Sequence, residues 1–306
     1  MQFSIGLPIE RASHAREFMS QEAVAEMARA AEEAGFGACS VTDHPVPTTR
    51  WLAHGGHHAQ DPFVVLAFAA AATRRIKLHT SILVLPYRHP FVMARAFATL
   101  DYFSHGRVII GAAAGYLRGE YKALGVDFEA RNALCDEAIR AMKAAWANEE
   151  FTFEGRGYHA RGNSILPLPA RRPGPPIWVG GNSMTAMRRA VDLAEGWCPF
   201  AAQEVLARTA RTAIMQNFDD LAERIERMRA YVKQVGRKTP LTLAVSSPFI
   251  SDYMAEPGRL LELVPRYREL GVEWLTVHGT GDTVKEWCAN TRRFGREVID
   301  KLRSAA

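Results

Sequence analysis

The residues best suited to chemistry follow short apolar runs, and the first of them are Asp43 and His44, directly after the run 38–42. An imidazole titrates near neutral pH, so His44 could hydrogen-bond a carbonyl or hydroxyl group and relay a proton. It could equally cap a strand or pack beneath the next loop, and the residues alone do not decide between these roles. We therefore treat Asp43 and His44 as candidate site residues.

A second polar group follows the run of tiny residues at 111–115, which leaves room for a ligand. Gly115 ends this run, and Tyr116 and Arg118 come next. Tight interior packing would explain the alanines of the run but not the tyrosine or the arginine. We expect Tyr116 to be a second proton donor or acceptor. Arg118 either holds an anionic group or is only a solvated loop charge.

Two glycines and two polar residues, Gly180, Gly181, Asn182 and Ser183, stand where another apolar run meets a helical pattern. A helix start presents free backbone N–H groups at the positive end of the helix dipole, which suits a phosphate. Asn182 or Ser183 could instead serve only as the helix N-cap. A rival anion site is the segment HGTGD at 278–282, but its aspartate disfavours an anion.

The loop 51–58 contains His54, His57 and His58, and neighbouring histidines are common metal ligands. Metal-dependent barrel hydrolases carry a His-x-His motif at the end of the first strand, where this chain has GLP at 6–8. We therefore predict no metal and interpret the loop as one that lies over the substrate. The four cysteines are far apart in sequence, which favours buried reduced thiols over a zinc or redox site.

Short apolar runs alternate with longer helical patterns along the chain, which is typical of parallel strands joined by crossover helices. Apolar runs predict strands at 3–7, 38–42, 76–85, 107–112, 176–179, 196–199, 241–246 and 274–278. Amphipathic stretches predict helices at 21–34, 63–73, 91–103, 132–147, 184–194 and 285–303. The pattern predicts an α/β fold, a (β/α)8 TIM barrel in one catalytic domain over residues 1–306, with its site at the carboxyl ends of the strands.

One irregular segment, 151–176, interrupts this repeat. We interpret it as a hairpin and loop inserted before strand five, covering one side of the barrel mouth.

The composition excludes several classes of protein. Of the 306 residues, 48% are hydrophobic and 23% are charged, which excludes a disordered chain. The formal net charge is +5, but the basic residues are scattered and form no stripe that would indicate nucleic-acid binding. No apolar run approaches the roughly 20 residues that cross a bilayer, and no signal segment precedes the first strand. We expect a cytoplasmic protein that binds neither nucleic acid nor membrane.

Together these motifs resemble the luciferase-like oxidoreductases of the bacterial luciferase superfamily, in the branch that depends on coenzyme F420. The resemblance covers essentially the whole chain. It rests on SVTDH at 40–44, DPF at 61–63, TSILVLPYRHP at 80–90, LD at 100–101, GR at 106–107, GYLRGEY at 115–121 and PIWVGGNS at 176–183. Each motif alone is modest, whereas their order and spacing together are specific.

The resemblance also implies how a cofactor would bind. Family members keep a non-prolyl cis peptide in strand three, here Ser81-Ile82, behind the central ring of the cofactor, and they place its phosphate at the helix start that maps onto 180–183. His44 matches a histidine that lies beside the ring in several deazaflavin enzymes. The candidate cofactor-binding residues are Asp43, His44, Ser81, Ile82, Gly115, Tyr116, Arg118, Gly180, Gly181, Asn182 and Ser183. Enzymes of the glucose-6-phosphate type carry a glutamate where Tyr116 stands, which disfavours a sugar-phosphate substrate.

Three functions are compatible with this resemblance. The first is an F420-dependent oxidoreductase that transfers hydride between the deazaflavin C5 and a small organic substrate, with His44 and Tyr116 as catalytic residues. The second is an FMN-dependent monooxygenase, and the third is a non-catalytic flavin-binding barrel. A polar pair beside the ring disfavours mere storage of the cofactor. The family is commonly dimeric, so a homodimer is expected.

Overall fold

Eight parallel strands close into a barrel in the computed structural model, which describes residues 1–304. The strands in chain order are β1 (Gln2–Gly6), β2 (Ala38–Val41), β3 (Lys77–Val84), β4 (Val108–Ala113), β5 (Phe151–Gly155), β6 (Tyr158–Asn163), β7 (Ile177–Gly180), β8 (Gly196–Cys198), β9 (Thr242–Ser246) and β10 (Trp274–His278). Around the barrel the order is β1-β10-β9-β8-β7-β4-β3-β2, while β5 and β6 form a separate two-stranded sheet. The predicted (β/α)8 barrel and its eight strand positions are confirmed.

Helices cover the outside of the barrel and follow the strands along the chain. They are α1 (Ala15–Phe18), α2 (Gln21–Glu33), α3 (Thr49–Leu52), α4 (Pro62–Ala72), α5 (Pro90–Phe103), α6 (Arg118–Ala123), α7 (Arg131–Ala147), α8 (Met184–Leu193), α9 (Glu204–Thr209), α10 (Phe218–Val235), α11 (Pro257–Glu269), α12 (Val284–Phe294) and α13 (Asp300–Ser304). A π-helical turn, Gly295–Ile299, joins the last two. Among residues 1–304, no helix is both long enough and apolar enough to cross a bilayer.

Side-chain caps explain where several of these helices begin. Asp61 accepts the N–H groups of Phe63 and Val64, and Pro62 occupies the first turn of α4, where its missing N–H costs nothing. Ser183 caps α8 in the same way by accepting the N–H of Ala186. These caps fix the points at which the loops from the barrel mouth become helix.

The segment before the fifth barrel strand forms the predicted hairpin, β5 paired antiparallel with β6. It packs outside the barrel against the start of α5, where the ring of Phe91 lies 5.2 Å from that of Phe151 and 5.3 Å from that of Tyr158. Two cavities lie at the barrel mouth, and no residue of the hairpin lines either of them. The expectation that it covers the mouth is therefore wrong, because its aromatic face is already used against α5.

Helices α4 and α5 carry an exposed apolar surface. Val64 and Phe68 on α4 are 56% and 39% exposed, and Val92 and Phe103 on α5 are 65% and 75% exposed. Nearly every residue of α4 is apolar, so the helix presents hydrophobic side chains on its outer face as well as to the core. We call this surface the α4/α5 face.

Candidate active site

A cavity of about 400 Å³ lies at the carboxyl ends of β2, β3, β4 and β7. Nine of the eleven candidate cofactor-binding residues line it: Asp43, His44, Ser81, Ile82, Gly115, Tyr116, Gly180, Gly181 and Ser183. Because β3 and β4 lie between β2 and β7 in the barrel, His44 and the β7–α8 turn stand on opposite sides of this cavity. We call it the strand-end cavity.

Strand β3 is irregular where it borders the strand-end cavity. The peptide between Ser81 and Ile82 is cis, as the family resemblance implied, and the register of β3 against β4 shifts between Thr80 and Leu83. Ser81 and Ile82 both line the cavity. This stretch and the tiny residues that end β4 together form one wall of the cavity.

Asp43 holds the end of β3 in place. Its carboxylate is only 2% exposed and accepts two hydrogen bonds from the guanidinium of Arg88, at 2.7 and 2.8 Å, and one from the N–H of Val84, at 3.0 Å. A bidentate charged pair of this kind fixes orientation as well as position. Asp43 thus borders the cavity, but its oxygens bind the protein.

His44 is oriented by a buried carboxylate that the sequence analysis did not single out. The imidazole Nδ1 lies 3.2 Å from Oε2 of Glu120, which is fully buried. The Glu120 carboxylate also accepts the hydroxyl of Tyr87 at 3.0 Å and the N–H of Val46 at 3.2 Å. Since a carboxylate accepts, Nδ1 carries the hydrogen, and Nε2 is the nitrogen left free to exchange a proton.

The rings of two further titratable residues lie beside that of His44. The His57 ring lies 4.9 Å from it and the Tyr116 ring 6.2 Å from it, measured between centroids. Burial lowers the pKa of His57, so this imidazole is neutral, and its Nδ1 donates to the carbonyl of His58 at 2.9 Å. Burial raises the pKa of Tyr116 to about 12, so its hydroxyl keeps its proton near neutral pH.

The turn from β7 into α8 forms the opposite side of the cavity. Gly181 has a φ of +119°, a conformation that residues with a Cβ rarely adopt, so the backbone itself requires glycine here. Ser183 satisfies one of the free N–H groups at the start of α8, and the remaining first-turn N–H groups have no partner within the helix. This end suits a phosphate.

Asn182, predicted to bind the cofactor, does not line the cavity. Its side chain is buried and bonds the protein instead: the amide donates to the carbonyls of Phe200 and Ala213, and its oxygen accepts the N–H of Phe200. Asn182 therefore ties the β7–α8 turn to the loops after β8 and α9.

Three arginines surround the ring of Phe128 at this side of the cavity. The guanidinium carbons of Arg131, Arg118 and Arg211 lie 4.0, 4.2 and 5.1 Å from the ring centroid. Glu129 pairs with Arg118 at 2.6 Å and with Arg131 at 3.8 Å, whereas Arg211 forms no ion pair with any residue in 1–304. Arg131 and Arg211 line the cavity, whereas Arg118, which was predicted to bind the cofactor, does not. We call this group the arginine cluster.

A second cavity, of about 880 Å³, adjoins the first and shares His57 and Tyr116 with it. It is built from the loop 51–57, helix α9 and the loop that follows β9. We call it the loop cavity. The rival anion segment 278–282 lines neither cavity, and Asp282 lies 3.8 Å from the guanidinium of Arg11.

No group of three or more histidines, cysteines or acidic residues among those described is arranged to hold a metal ion. The strand-end cavity offers a different set of groups: tiny side chains at the end of β4, an imidazole on one side, and a helix start with arginines on the other. This set fits a planar heterocycle that carries a phosphate.

Comparison with known proteins agrees with this geometry. The F420-dependent glucose-6-phosphate dehydrogenase of Microbacterium testaceum is 27% identical over 318 residues, covering 89% of this chain and 91% of that protein. The FMNH2-dependent dimethylsulfone monooxygenase of Pseudomonas putida is 32% identical over 165 residues, covering 53% of this chain and 44% of that protein. The crystal structure of the monooxygenase RslO1 from Streptomyces bottropensis superposes with a TM-score of 0.76 at 20% identity, over 99% of this chain and 100% of that one.

The family match extends over most of the chain. Residues 1–259 match the sequence profile of the family described as luciferase-like monooxygenase. The barrel, the irregular third strand and the position of the strand-end cavity accord with that match. The chain therefore belongs to the luciferase-like monooxygenase family of oxidoreductases.

Proposed function

We propose that this protein is an F420-dependent oxidoreductase that transfers hydride between the deazaflavin C5 and a small organic substrate. The deazaflavin ring would bind against Ser81 and Ile82, with its phosphate at the start of α8. When bound, coenzyme F420 supplies the hydride chemistry, and the protein supplies placement and electrostatics.

The role of His44 follows from its hydrogen bond to Glu120. With Nδ1 held by the carboxylate at 3.2 Å, the ring cannot turn without breaking that bond, and Nε2 is available as a proton acceptor or donor. Tyr116 keeps its proton because its pKa is raised to about 12, so its hydroxyl acts as a hydrogen-bond donor to a substrate oxygen. Glu120 acts through His44 and is a positioning residue.

The arginine cluster is the observation that favours F420 over FMN. Among the residues that the structure describes, the cluster contains three guanidinium groups but only one carboxylate, that of Glu129, so it carries excess positive charge. The helix start beside it adds further positive potential. A single phosphate at the helix start, as in FMN, would leave unused the charge of Arg211, which is unpaired within residues 1–304. The longer anionic tail of F420 would use the additional charge.

The experiment is a titration of the purified apo-protein with F420 and with FMN in parallel, at low and at high salt. We expect F420 to bind more tightly, and its affinity to fall more steeply with salt because more charge is screened. Tighter binding of FMN, together with oxygen-dependent turnover, would assign the protein to the monooxygenases. Cofactor binding without turnover of any candidate substrate would support the storage function instead.

We also propose that two copies pair through the α4/α5 face, since exposed apolar patches of this kind mark protein contacts. Sedimentation of Val64→Glu should then show a monomer where the wild type is a dimer. Val235→Glu is a matched control, because Val235 is an exposed helical valine outside that face. A wild-type monomer, or a Val64→Glu dimer, would contradict this pairing.

A further inference from the structure

We infer that the loop cavity binds the organic substrate, and that this substrate is a bulky, neutral and largely apolar molecule rather than a sugar phosphate. The inference rests on the proposed function, since it assigns the partner of the cofactor reaction. The two cavities meet at His57 and Tyr116, so a molecule in the loop cavity can place its reacting atom beside the strand-end cavity.

The size and lining of the loop cavity indicate an apolar occupant. Its volume of about 880 Å³ is more than twice the 400 Å³ of the strand-end cavity. Large apolar or aromatic side chains form much of its surface: Trp51, Val205, Leu206, Met215, Phe249 and Ile250. A concave surface with these side chains favours ligands that bury apolar area.

The charges around the loop cavity disfavour a phosphate. Arg259 and Asp252 are the charged residues among those that line it, and Arg259 lies 4.0 Å from Asp252 and 3.5 Å from Glu256. The positive charge of Arg259 is thus shared between two carboxylates. His57 adds no positive charge, because burial lowers its pKa. A phosphate dianion moved here would lose its hydration without gaining a free cation.

The side chains at the rim of the loop cavity also favour a neutral, largely apolar ligand. Val205 is 81% exposed and Leu206 is 45% exposed, although both line the cavity. Neighbouring side chains that could hydrogen-bond are neutral, for example Gln203, Gln216 and Ser247. A ligand that covers the two aliphatic side chains and makes a few neutral hydrogen bonds would match this lining.

A neutral fluorescent probe, N-phenyl-1-naphthylamine, tests this assignment in the full-length apo-protein. We expect saturable binding, with affinity reduced about tenfold or more in Leu206→Lys, because the added charge would be desolvated. Leu124→Lys should bind as wild type does, since Leu124 is an exposed leucine at the end of α6, outside both cavities. Millimolar glucose 6-phosphate should not displace the probe.

Three results would overturn the inference: no saturable probe binding, equal affinities for Leu206→Lys and Leu124→Lys, or displacement by glucose 6-phosphate. An F420 titration of the same samples separates this inference from the proposed function. Loss of F420 binding with intact probe binding contradicts the cofactor, whereas F420 binding without probe binding contradicts the substrate class alone.

Discussion

The two cavities at the barrel mouth differ in both construction and charge. The strand-end cavity is made by residues at the ends of β2, β3, β4 and β7, and arginines stand on one side of it. The loop cavity is made largely by loops and the short helix α9, and its one arginine is shared by two carboxylates. Strand ends are held by the barrel ladder on both sides, while loops vary without disturbing it. Under the proposed function, the strand-end cavity would hold the cofactor and the proton chemistry, and the loop cavity would select the substrate.

The largest expected effect comes from His44, which lines the strand-end cavity and is the proposed proton donor or acceptor. We expect His44→Ala to lower kcat by about 10²- to 10⁴-fold, the usual contribution of a general acid or base, with little change in cofactor affinity. Single-turnover hydride transfer, followed by deazaflavin absorbance at saturating cofactor, measures this. His159→Ala is the control, because His159 is exposed on the hairpin. Equal rates in wild type and His44→Ala would remove the catalytic role.

A smaller effect is expected at Glu120, which touches neither cavity and acts through His44. Glu120→Gln retains the shape of the side chain but removes the charge that holds the hydrogen on Nδ1. We expect kcat to fall about tenfold or more with cofactor affinity unchanged, and ¹⁵N NMR to show a mixed His44 tautomer. Glu226→Gln changes an exposed carboxylate on α10 and should have no effect. An unchanged tautomer with a lower rate would instead indicate general damage to the fold.

Arg211 tests the charge difference between the two cavities directly. Since it forms no ion pair within residues 1–304, its substitution by alanine removes free positive charge from the strand-end cavity. We expect Arg211→Ala to weaken F420 binding about tenfold and to leave binding of the neutral probe unchanged. Arg29→Ala, on the exposed face of α2, is the matched control. Equal losses for F420 and the probe would mean that the cavities are not separate sites.

Of these substitutions, Tyr116→Phe is expected to have the smallest effect. It should lower the rate of turnover without changing how that rate depends on pH. The pKa of Tyr116 is raised to about 12, so the hydroxyl is protonated at every pH well below that value. Tyr116→Phe should therefore lower turnover by a constant factor between about pH 6 and pH 9, without changing the shape of the pH profile. A profile that changes shape in this range would show that Tyr116 ionises during the reaction.

The sequence predicted the barrel because strand and helix patterns are local, and each apolar run lies where a barrel strand was found. The sequence also predicted that His44, Tyr116 and the β7–α8 glycines lie in one site, because a barrel places the carboxyl ends of all its strands at the same end. All of them line the strand-end cavity. The sequence did not indicate the role of Glu120, although Glu120 lies inside the motif GYLRGEY, because its partner is 76 residues away. Only closure of the barrel brings such a pair into contact.

The arginines and glycines also show that the sequence does not reveal contacts or backbone conformations that depend on tertiary structure. Arg118 was singled out, but Arg131 and Arg211 gather around Phe128 through tertiary packing that no spacing in the sequence reveals. The sequence predicts a phosphate site at the double glycine but not that the turn requires glycine for its own geometry, which the φ of +119° at Gly181 shows. The sequence predicts that the loop 51–58 lies over the substrate, and residues within 51–57 line the loop cavity. The other walls were not predicted, because they come from segments some 200 residues away in sequence, such as 247–253.

The stretch after β4 concentrates several tasks in residues 116–120. Tyr116 borders both cavities, Arg118 belongs to the arginine cluster, and Glu120 orients His44. A one-residue insertion at its start would displace all three side chains together, so this stretch is a poor place for engineering. Helix α9 is a better one, because its Val205 and Leu206 line only the loop cavity. Under the proposed assignment, their exchange would alter substrate choice and leave the residues around His44 in place.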